Sequence, residues 1–473
     1  MVIFIIFTLL AFGYTIFFFI DRKRALLFLF LIKLPLDQIT WKYSISVAFI
    51  TLRTSEALTV FITLLLFMFF LLDKTRDPYR RGFFRNIPSV LFIPIIIFML
   101  VFSLNVFRGG WWFLTAQQFM KLTTGILVGT FVAATLKTED EIKWLLRCML
   151  FGTAIISILN IPAIYSGGEL HVYAPSTGDK LSGTAVGGGV GSYYAADSFS
   201  HAFIPYIPAI LFASVVLKSK VEKLLCFFVV LFSILAVFVA AIRAGWISLS
   251  LILIFWMVVR KQWKLIILST ACIFIIATAQ LFSSTLNKAY QKISLEADSL
   301  EKGELPDYAF SGRPRIWKTY LTNYMAGTFV SKLIGNDTVL YESAWEAGHD
   351  PHNDFIYILV RMGIIGLSAT LLLYIWTLVY LFKAIINMEE YFNRNLALTA
   401  ILALIGMMVP ALTRAGLMNP NYEWVFWTFT MITMKKYMLT QSDVYQSENS
   451  LDTDEDEDSE SIAPEITEKD NIK

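Results

Sequence analysis

The stretch PHNDFIYILVRMGIIGLSATLLLYIWTLVYLF, Pro351–Phe382, joins a polar turn to one of the longest apolar runs in the chain. An apolar run of about twenty residues or more has the length of a membrane-crossing helix, so Phe355–Phe382 reads as one span. Two of the four histidines, His349 and His352, stand immediately before it. The reading of this junction decides both the fold and the place where chemistry can occur.

Working outward, similar runs recur at Val2–Ile20, Ala57–Leu72, Pro88–Phe107, Phe113–Leu136, Trp144–Ile161, His201–Leu217, Leu224–Ala241, Trp246–Val259, Leu265–Phe282, Leu396–Leu412 and Trp424–Met438. A shorter run, Ala25–Leu36, carries Lys33 and Pro35. Hydrophobic residues make up 56% of the chain and charged residues 16%, an excess over soluble domains that needs lipid as its solvent. Backbone exposed to lipid must satisfy its own hydrogen bonds, so these runs are helices. The expected fold is all-α: a polytopic transmembrane bundle of about 12–13 helices with a large, partly helical extracytoplasmic loop. Ser44–Leu52 reads as extended. Val2–Ile20 has span length and no small-residue cleavage site after it, which marks it as a retained helix.

The domain divisions are N-terminal membrane helices over 1–282, the large loop over 283–354, C-terminal membrane helices over 355–440, and an acidic cytoplasmic tail over 441–473. From Ser442 onward twelve Asp and Glu face two Lys, too much charge to bury a core, so the tail reads as disordered. Cys148, Cys226 and Cys272 all fall in apolar runs and read as small core residues. No zinc spacing, Walker loop or dinucleotide fingerprint is present, and no nucleic-acid partner is expected.

Lys and Arg cluster at Asp21–Arg24, Asp73–Asn86, Lys218–Lys223, Arg260–Lys264 and Lys435–Lys436. The positive-inside rule puts all five clusters on the cytoplasmic side of the membrane. Threading the helices from there brings His171, His201, His349 and His352 to the outer face, together with Arg243 in FVAAIRAGWISL. In the loop, Ile316, Trp317, Tyr320 and Tyr324 recur at helical spacing, which predicts an amphipathic helix lying on the membrane surface. Arg313 and Arg315 sit at its start, where cations are unfavourable without an anionic partner. Arg243 between apolar helices would cost about 2.5–3.5 kcal/mol unless paired or snorkelled, which makes it functional by default.

External arginines and a histidine at membrane level fit a lipid-linked diphosphate sugar. Guanidinium forks grip phosphate oxygens, and one imidazole can take the proton of an attacking hydroxyl. His349, Asp350 and His352 lack a further ligand cluster, so no metal and no cofactor is expected.

Three stretches resemble the O-antigen ligase/polymerase family of bacterial envelope glycosyltransferases. They are PHNDFIYILVRMGIIGL with Gly363 and Gly366, SGRPRIWKTYL followed by LIGND, and IRAGWISL; LSGT at Leu181–Thr184 is a weaker fourth. Ile242 stands where the family usually has Ser or Thr, Arg361 replaces a commonly acidic or polar residue, and the asparagine common after SGT is absent. The resemblance implies a metal-independent enzyme acting on an undecaprenyl-diphosphate-linked oligosaccharide. His352 would be the base, Arg243 and Arg313 would hold the diphosphate, and Arg315, His349 and Asn353 would contact substrate. The product is expected to be a surface polysaccharide polymerised from repeat units. The alternatives are a ligase that moves the glycan to a lipid or protein acceptor, and, from another class, a flippase of the lipid-linked sugar. Membrane lipids, a flippase and a chain-length regulator are the expected partners.

Overall fold

In the computed structural model, residues 2–40, 44–47, 50–53, 57, 59–68, 112–161, 203–239, 243–261, 313–348, 350–413, 417 and 419–457 are described, with isolated positions between 93 and 104. The first helices are α1 (Val2–Ile20) and α2 (Arg22–Thr40). An antiparallel hairpin follows, β1 (Ser44–Val47) paired with β2 (Ile50–Arg53), as the extended reading of this stretch anticipates. Then come α3 (Thr59–Met68), α4 (Trp112–Thr135), α5 (Glu139–Leu159), a 3-10 turn leading into α6 (Ile207–Val216), α7 (Lys220–Val239) and α8 (Arg243–Val259). The loop region contributes α9 (Arg313–Ala326), α10 (Phe329–Ile334) and α11 (Asp337–Ala347). The chain closes with α12 (Asp354–Asn387), α13 (Tyr391–Thr413) and α14 (Pro420–Glu457).

Apart from the hairpin, the described residues form an all-α helical membrane protein. Among them, α5, α12 and α13 are long and apolar enough to cross a membrane by length and composition. The shorter run at Ala25–Leu36, with its Lys33 and Pro35, lies within the continuous helix α2, where Ala25, Leu26, Leu29, Phe30 and Leu34 are buried. Cys148 and Cys226 are free thiols within helices. The runs 262–312 and 162–202, with His171, His201, Cys272 and Leu181–Thr184, lie outside the described residues, as do the basic cluster 73–86 and His349.

The centre of the bundle is the parallel pair α4 and α14. A Cβ placed on Gly125 would stand 2.7 Å from the Glu423 Cβ, and one on Gly129 would stand 2.4 Å from the Trp427 carbonyl oxygen. Two small residues four apart let the helix backbones touch, the device membrane helices use where lipid offers no hydrophobic drive. Helix α13 lies beside α14 and antiparallel to α8, with Arg260 Nη1 donating to Asn395 Oδ1 at 2.7 Å and Ile252 packed against Gly406.

Four of the five basic clusters meet at one end of this bundle. Lys23 pairs with Glu141, and Arg147 Nε lies 2.7 Å from Glu222 Oε1. Lys143 and Lys436 both approach the Phe392 ring, and Lys435 reaches the Ala133 carbonyl. Thr138 and Glu141 form a reciprocal cap at the start of α5, with three acidic residues in its first turn where the helix dipole favours them.

The structure corrects the reading of Phe355–Phe382 as one span. Gly363 has φ 66° and ψ −172°, a conformation that essentially only glycine adopts, and it breaks α12 into 354–362 and 364–387. Ile358 and Thr370 line one small cavity with Leu373, Tyr374, Leu417, Ile126 and Trp427. A straight helix would hold Ile358 and Thr370 about 18 Å apart along its axis. The short half therefore folds back along the long half.

Two glycines make this fold-back possible. Gly335 has φ 83° and ψ 176°, again a glycine conformation, and any Cβ there would lie 1.9 Å from the Arg361 carbonyl oxygen. A Cβ on Gly363 would lie 2.3 Å from Leu333 backbone atoms. The Val360 carbonyl, freed from the helix ladder by the break, accepts the Asn336 amide at 3.0 Å.

Two further expectations are corrected. The apolar face of α9 does not lie on lipid: Ile316, Tyr320 and Tyr324 are buried against Leu340, Ala347 and Val360, because α11 and the short half of α12 offer it a protein surface. The loop helices and 354–362 thus form one unit across the expected boundary at 354. The acidic tail is helical to Glu457, since an established helix extends at one bond per residue fixed and needs no new nucleus.

The glycine contacts make a graded prediction for thermal unfolding in detergent. Gly363→Ala and Gly335→Ala should each destabilise by about 2 kcal/mol or more, combining backbone strain with overpacking. Gly348 also has positive φ, but nothing lies within 4 Å of its added Cβ, so Gly348→Ala should cost only about 1 kcal/mol. Equal losses at all three sites would contradict the close approach.

Candidate functional site

The turn Gly348–Asn353 links α11 to α12. Gly348 ends α11 in the left-handed conformation, and Asn353 starts α12. The Asn353 Oδ1 accepts the amides of Phe355 and Ile356 at 3.0 and 3.1 Å, while its Nδ2 donates to the Leu412 carbonyl at 3.1 Å. Asp354 is buried, and its Oδ2 accepts the Leu417 amide at 2.7 Å. The Trp317 indole donates to the Pro351 carbonyl at 2.7 Å. The turn is fastened on one side to α9 and on the other to the last turn of α13 and the connection that follows it.

His352 sits inside these fastenings, half-buried, with φ 47°. A left-handed non-glycine residue costs roughly 1–2 kcal/mol, and such strain persists only where the surroundings enforce it. The bonds made by Pro351, Asn353 and Asp354 hold the chain on either side of His352.

The sequence-predicted residues fall as follows. Arg313 begins α9 one turn before Trp317, on the same helix face, so about 6 Å of helix separates it from the contact that holds Pro351. Arg315 is exposed on the same first turn. Arg243 begins α8. Because α8 runs antiparallel to α13, with Arg260 at Asn395 and Ile252 at Gly406, its start lies toward Leu412, the residue that receives Asn353. Seventeen residues of helix, about 26 Å, separate Asn395 at the basic end from Leu412 at this end. The starts of α8, α9 and α12 therefore gather at the end opposite the basic belt. Asn353, expected to contact substrate, caps α12 and holds the Leu412 carbonyl, because a polar residue at a buried helix start satisfies the orphan amides there. His349 lies outside the described residues.

Sequence reasoning missed two buried charged groups. Arg361 is 0% exposed; its Nε lies 2.9 Å from Asp337 Oδ1, it hydrogen-bonds the Tyr357 hydroxyl, and it stacks over the Tyr357 ring at 5.3 Å. Burial raises the Tyr341 phenol above its usual value, with the neighbouring Arg361 working against the rise. Arg361 was visible only as a departure from the family pattern, and Asp337 as the last letter of LIGND. The second is Glu423, 1% exposed, which accepts the Tyr374 hydroxyl at 2.7 Å. An acidic residue inside an apolar helix was its signal. Among the described residues, no group of three or more His, Cys, Asp or Glu is arranged to hold a metal ion.

Residues 228–371 match the family model described as O-antigen ligase. The chain carries an O-antigen ligase-family domain. The matched segment contains Arg243, Arg313, Arg315, His352, the Asp337–Arg361 pair and both glycines of the fold-back. No curated protein matches the chain. The family match and the apolar helices together support a membrane protein with a glycan-transfer function of the O-antigen ligase/polymerase type.

The buried ion pair yields a stability prediction. Asp337→Ala leaves a guanidinium buried without its carboxylate and should cost about 3–5 kcal/mol. The double variant Asp337→Leu with Arg361→Met should recover most of that loss. A double variant as unstable as the single would show that the pair is not an isolated ionic contact.

Proposed function

We propose that this protein polymerises undecaprenyl-diphosphate-linked repeat units of a surface polysaccharide at the outer face of the bacterial cytoplasmic membrane. The reading rests on one observation: His352 is held in a strained left-handed turn at the bundle end where α8 and α9 begin with Arg243 and Arg313. Strain maintained at that cost is characteristic of sites that do chemistry.

In this reading the acceptor hydroxyl loses its proton to the His352 imidazole as its oxygen attacks the anomeric carbon of the donor. The bond from that carbon to the lipid diphosphate breaks, and the diphosphate leaves with the bonding pair. Arg243 and Arg313 offset the charge on the leaving group by bidentate hydrogen bonds, with Arg315 as a further contact. No metal takes part. A ligase would use the same residues with a different acceptor, and nothing in these groups separates the two. A flippase predicts charged residues along a midplane path.

His352→Asn is the sharpest variant, because asparagine tolerates the left-handed conformation but lacks the imidazole. It should insert and accumulate normally while product formation falls about 100-fold or more. Undiminished product would remove His352 as the base. Arg243→Lys should also impair turnover, since an ammonium cannot reproduce the planar fork, and full activity with lysine would refute bidentate holding. Turnover should survive a strong chelator; loss restored by a divalent cation would overturn metal independence. In a deletion strain, lipid-linked single repeat units identify a polymerase. Long unattached chains identify a ligase.

A further inference from the structure

The mechanism above makes no use of Glu423, a buried acid. Glu423 lies one turn into α14, where its Cβ is pressed against Gly125 of α4 and its carboxylate accepts the Tyr374 hydroxyl at 2.7 Å. Ionisable groups at such depth are expensive and rarely incidental. We propose that Glu423, with Tyr374, is a positioning residue for the His352 turn.

The connection runs through α14's own start. Asn419 caps α14, its Oδ1 accepting the Asn421 amide at 3.0 Å and its carbonyl accepting the Tyr422 and Glu423 amides. Two residues before that cap, the Leu417 amide is held by Asp354. Just before, the Leu412 carbonyl is held by Asn353. The last turn of α13 and the α13–α14 connection are thus each tied at one point to the pair that follows His352. Glu423 fixes the far end of that connection to the long half of α12, and Asn353 and Asp354 belong to the short half. The Glu423–Tyr374 bond therefore closes a ring: long half, α14, connection, short half and, through Gly363, the long half again.

The small cavity inside this ring is lined by Ile358 on the short half, Thr370, Leu373 and Tyr374 on the long half, and Leu417 and Trp427 on the connection and α14. With the Glu423–Tyr374 bond intact, Leu417 stands where Asp354 can take its amide, and the His352 turn is drawn to the bundle end. Without it, the start of α14 is free to shift against α12, and the turn loses one of its walls. Glu423 touches neither the acceptor sugar's hydroxyl nor the diphosphate in this scheme; it acts through Leu417 and Asp354.

The test has a structural arm and a catalytic arm, both on the full chain in lipid nanodiscs. In the first, amide hydrogen exchange is followed over 351–358 and 414–420. Tyr374→Phe, which removes a single hydroxyl, and Glu423→Ala should speed exchange in both segments by about tenfold or more. Glu423→Gln keeps an oxygen that can accept the Tyr374 hydroxyl and should stay close to the unmodified protein. Thr399→Val removes another buried hydrogen bond, to the Asn395 carbonyl near the basic end, and should leave both segments unchanged. Unchanged exchange in Tyr374→Phe, or equal acceleration in Thr399→Val, would overturn the proposal.

The catalytic arm rests on the glycan-transfer reading. Tyr374→Phe and Glu423→Ala should lower kcat about tenfold with KM for the lipid-linked donor nearly constant, and Glu423→Gln should restore it. A rise in KM at constant kcat would make Glu423 a donor-binding group and overturn the positioning role. Faster exchange in the His352 segment with full turnover would leave the ring standing and refute the role given to that turn in catalysis.

Discussion

The close approach of two glycine backbones, Gly335 against Arg361 and Gly363 against Leu333, is the constraint on which the rest of the structure depends. Neither contact leaves room for a side chain, and both residues hold backbone conformations that side chains forbid. Together they turn what would be one long membrane helix into a long and a short half. The Asn336 amide takes the Val360 carbonyl, one of the acceptors that the break exposes. The Asp337–Arg361 pair then fixes the loop helices to the same reversal by charge. Without the fold-back, His352 would stand at the tip of a straight helix; with it, the turn lies against the ends of α13 and α14.

The charge distribution follows from this geometry. Lys23, Lys143, Arg147, Arg260, Lys435 and Lys436 gather at one end of the bundle, paired with acids, amides, carbonyls or aromatic faces. The starts of α8, α9 and α12 gather at the other. A bundle about 26 Å deep between these ends matches the thickness of a bilayer's hydrocarbon core. The lipid-linked substrate of the proposed reaction would need a site at the level where its chain ends and its diphosphate meets water. The reversal at Gly363 brings the His352 turn to the bundle end, while the loop helices pack around the folded-back unit.

Much of this was legible in the sequence because lipid imposes simple rules. Apolar runs gave the helices α1, α4, α5, α7, α8 and α13 nearly to their ends, and the extended reading of Ser44–Leu52 met a hairpin. The spacing of Ile316, Tyr320 and Tyr324 gave α9 and its apolar face correctly. What covers that face was not legible, because hydrophobic periodicity is the same toward lipid as toward α11. The break at Gly363 was hidden for a related reason: DFIYILVRMGIIGL stays apolar through the glycine, and only the approach of Gly335 from elsewhere in the chain demands the turn. Arg361 was visible as an oddity and became intelligible only beside Asp337. For the candidate site, residue types pointed to His352, Arg243 and Arg313, whereas the strain at His352 and the capping task of Asn353 are properties of the folded turn.

The fold-back is tested most directly by thiol crosslinking in a chain with Cys148, Cys226 and Cys272 replaced by alanine. Cysteines introduced at Ile358 and Thr370 line the same small cavity if the two halves of α12 lie side by side. A short bifunctional reagent should then join them within one chain in the intact membrane. In a continuous helix the two positions would stand about 18 Å apart, out of its reach, and a failure to crosslink while both thiols still react singly would contradict the account.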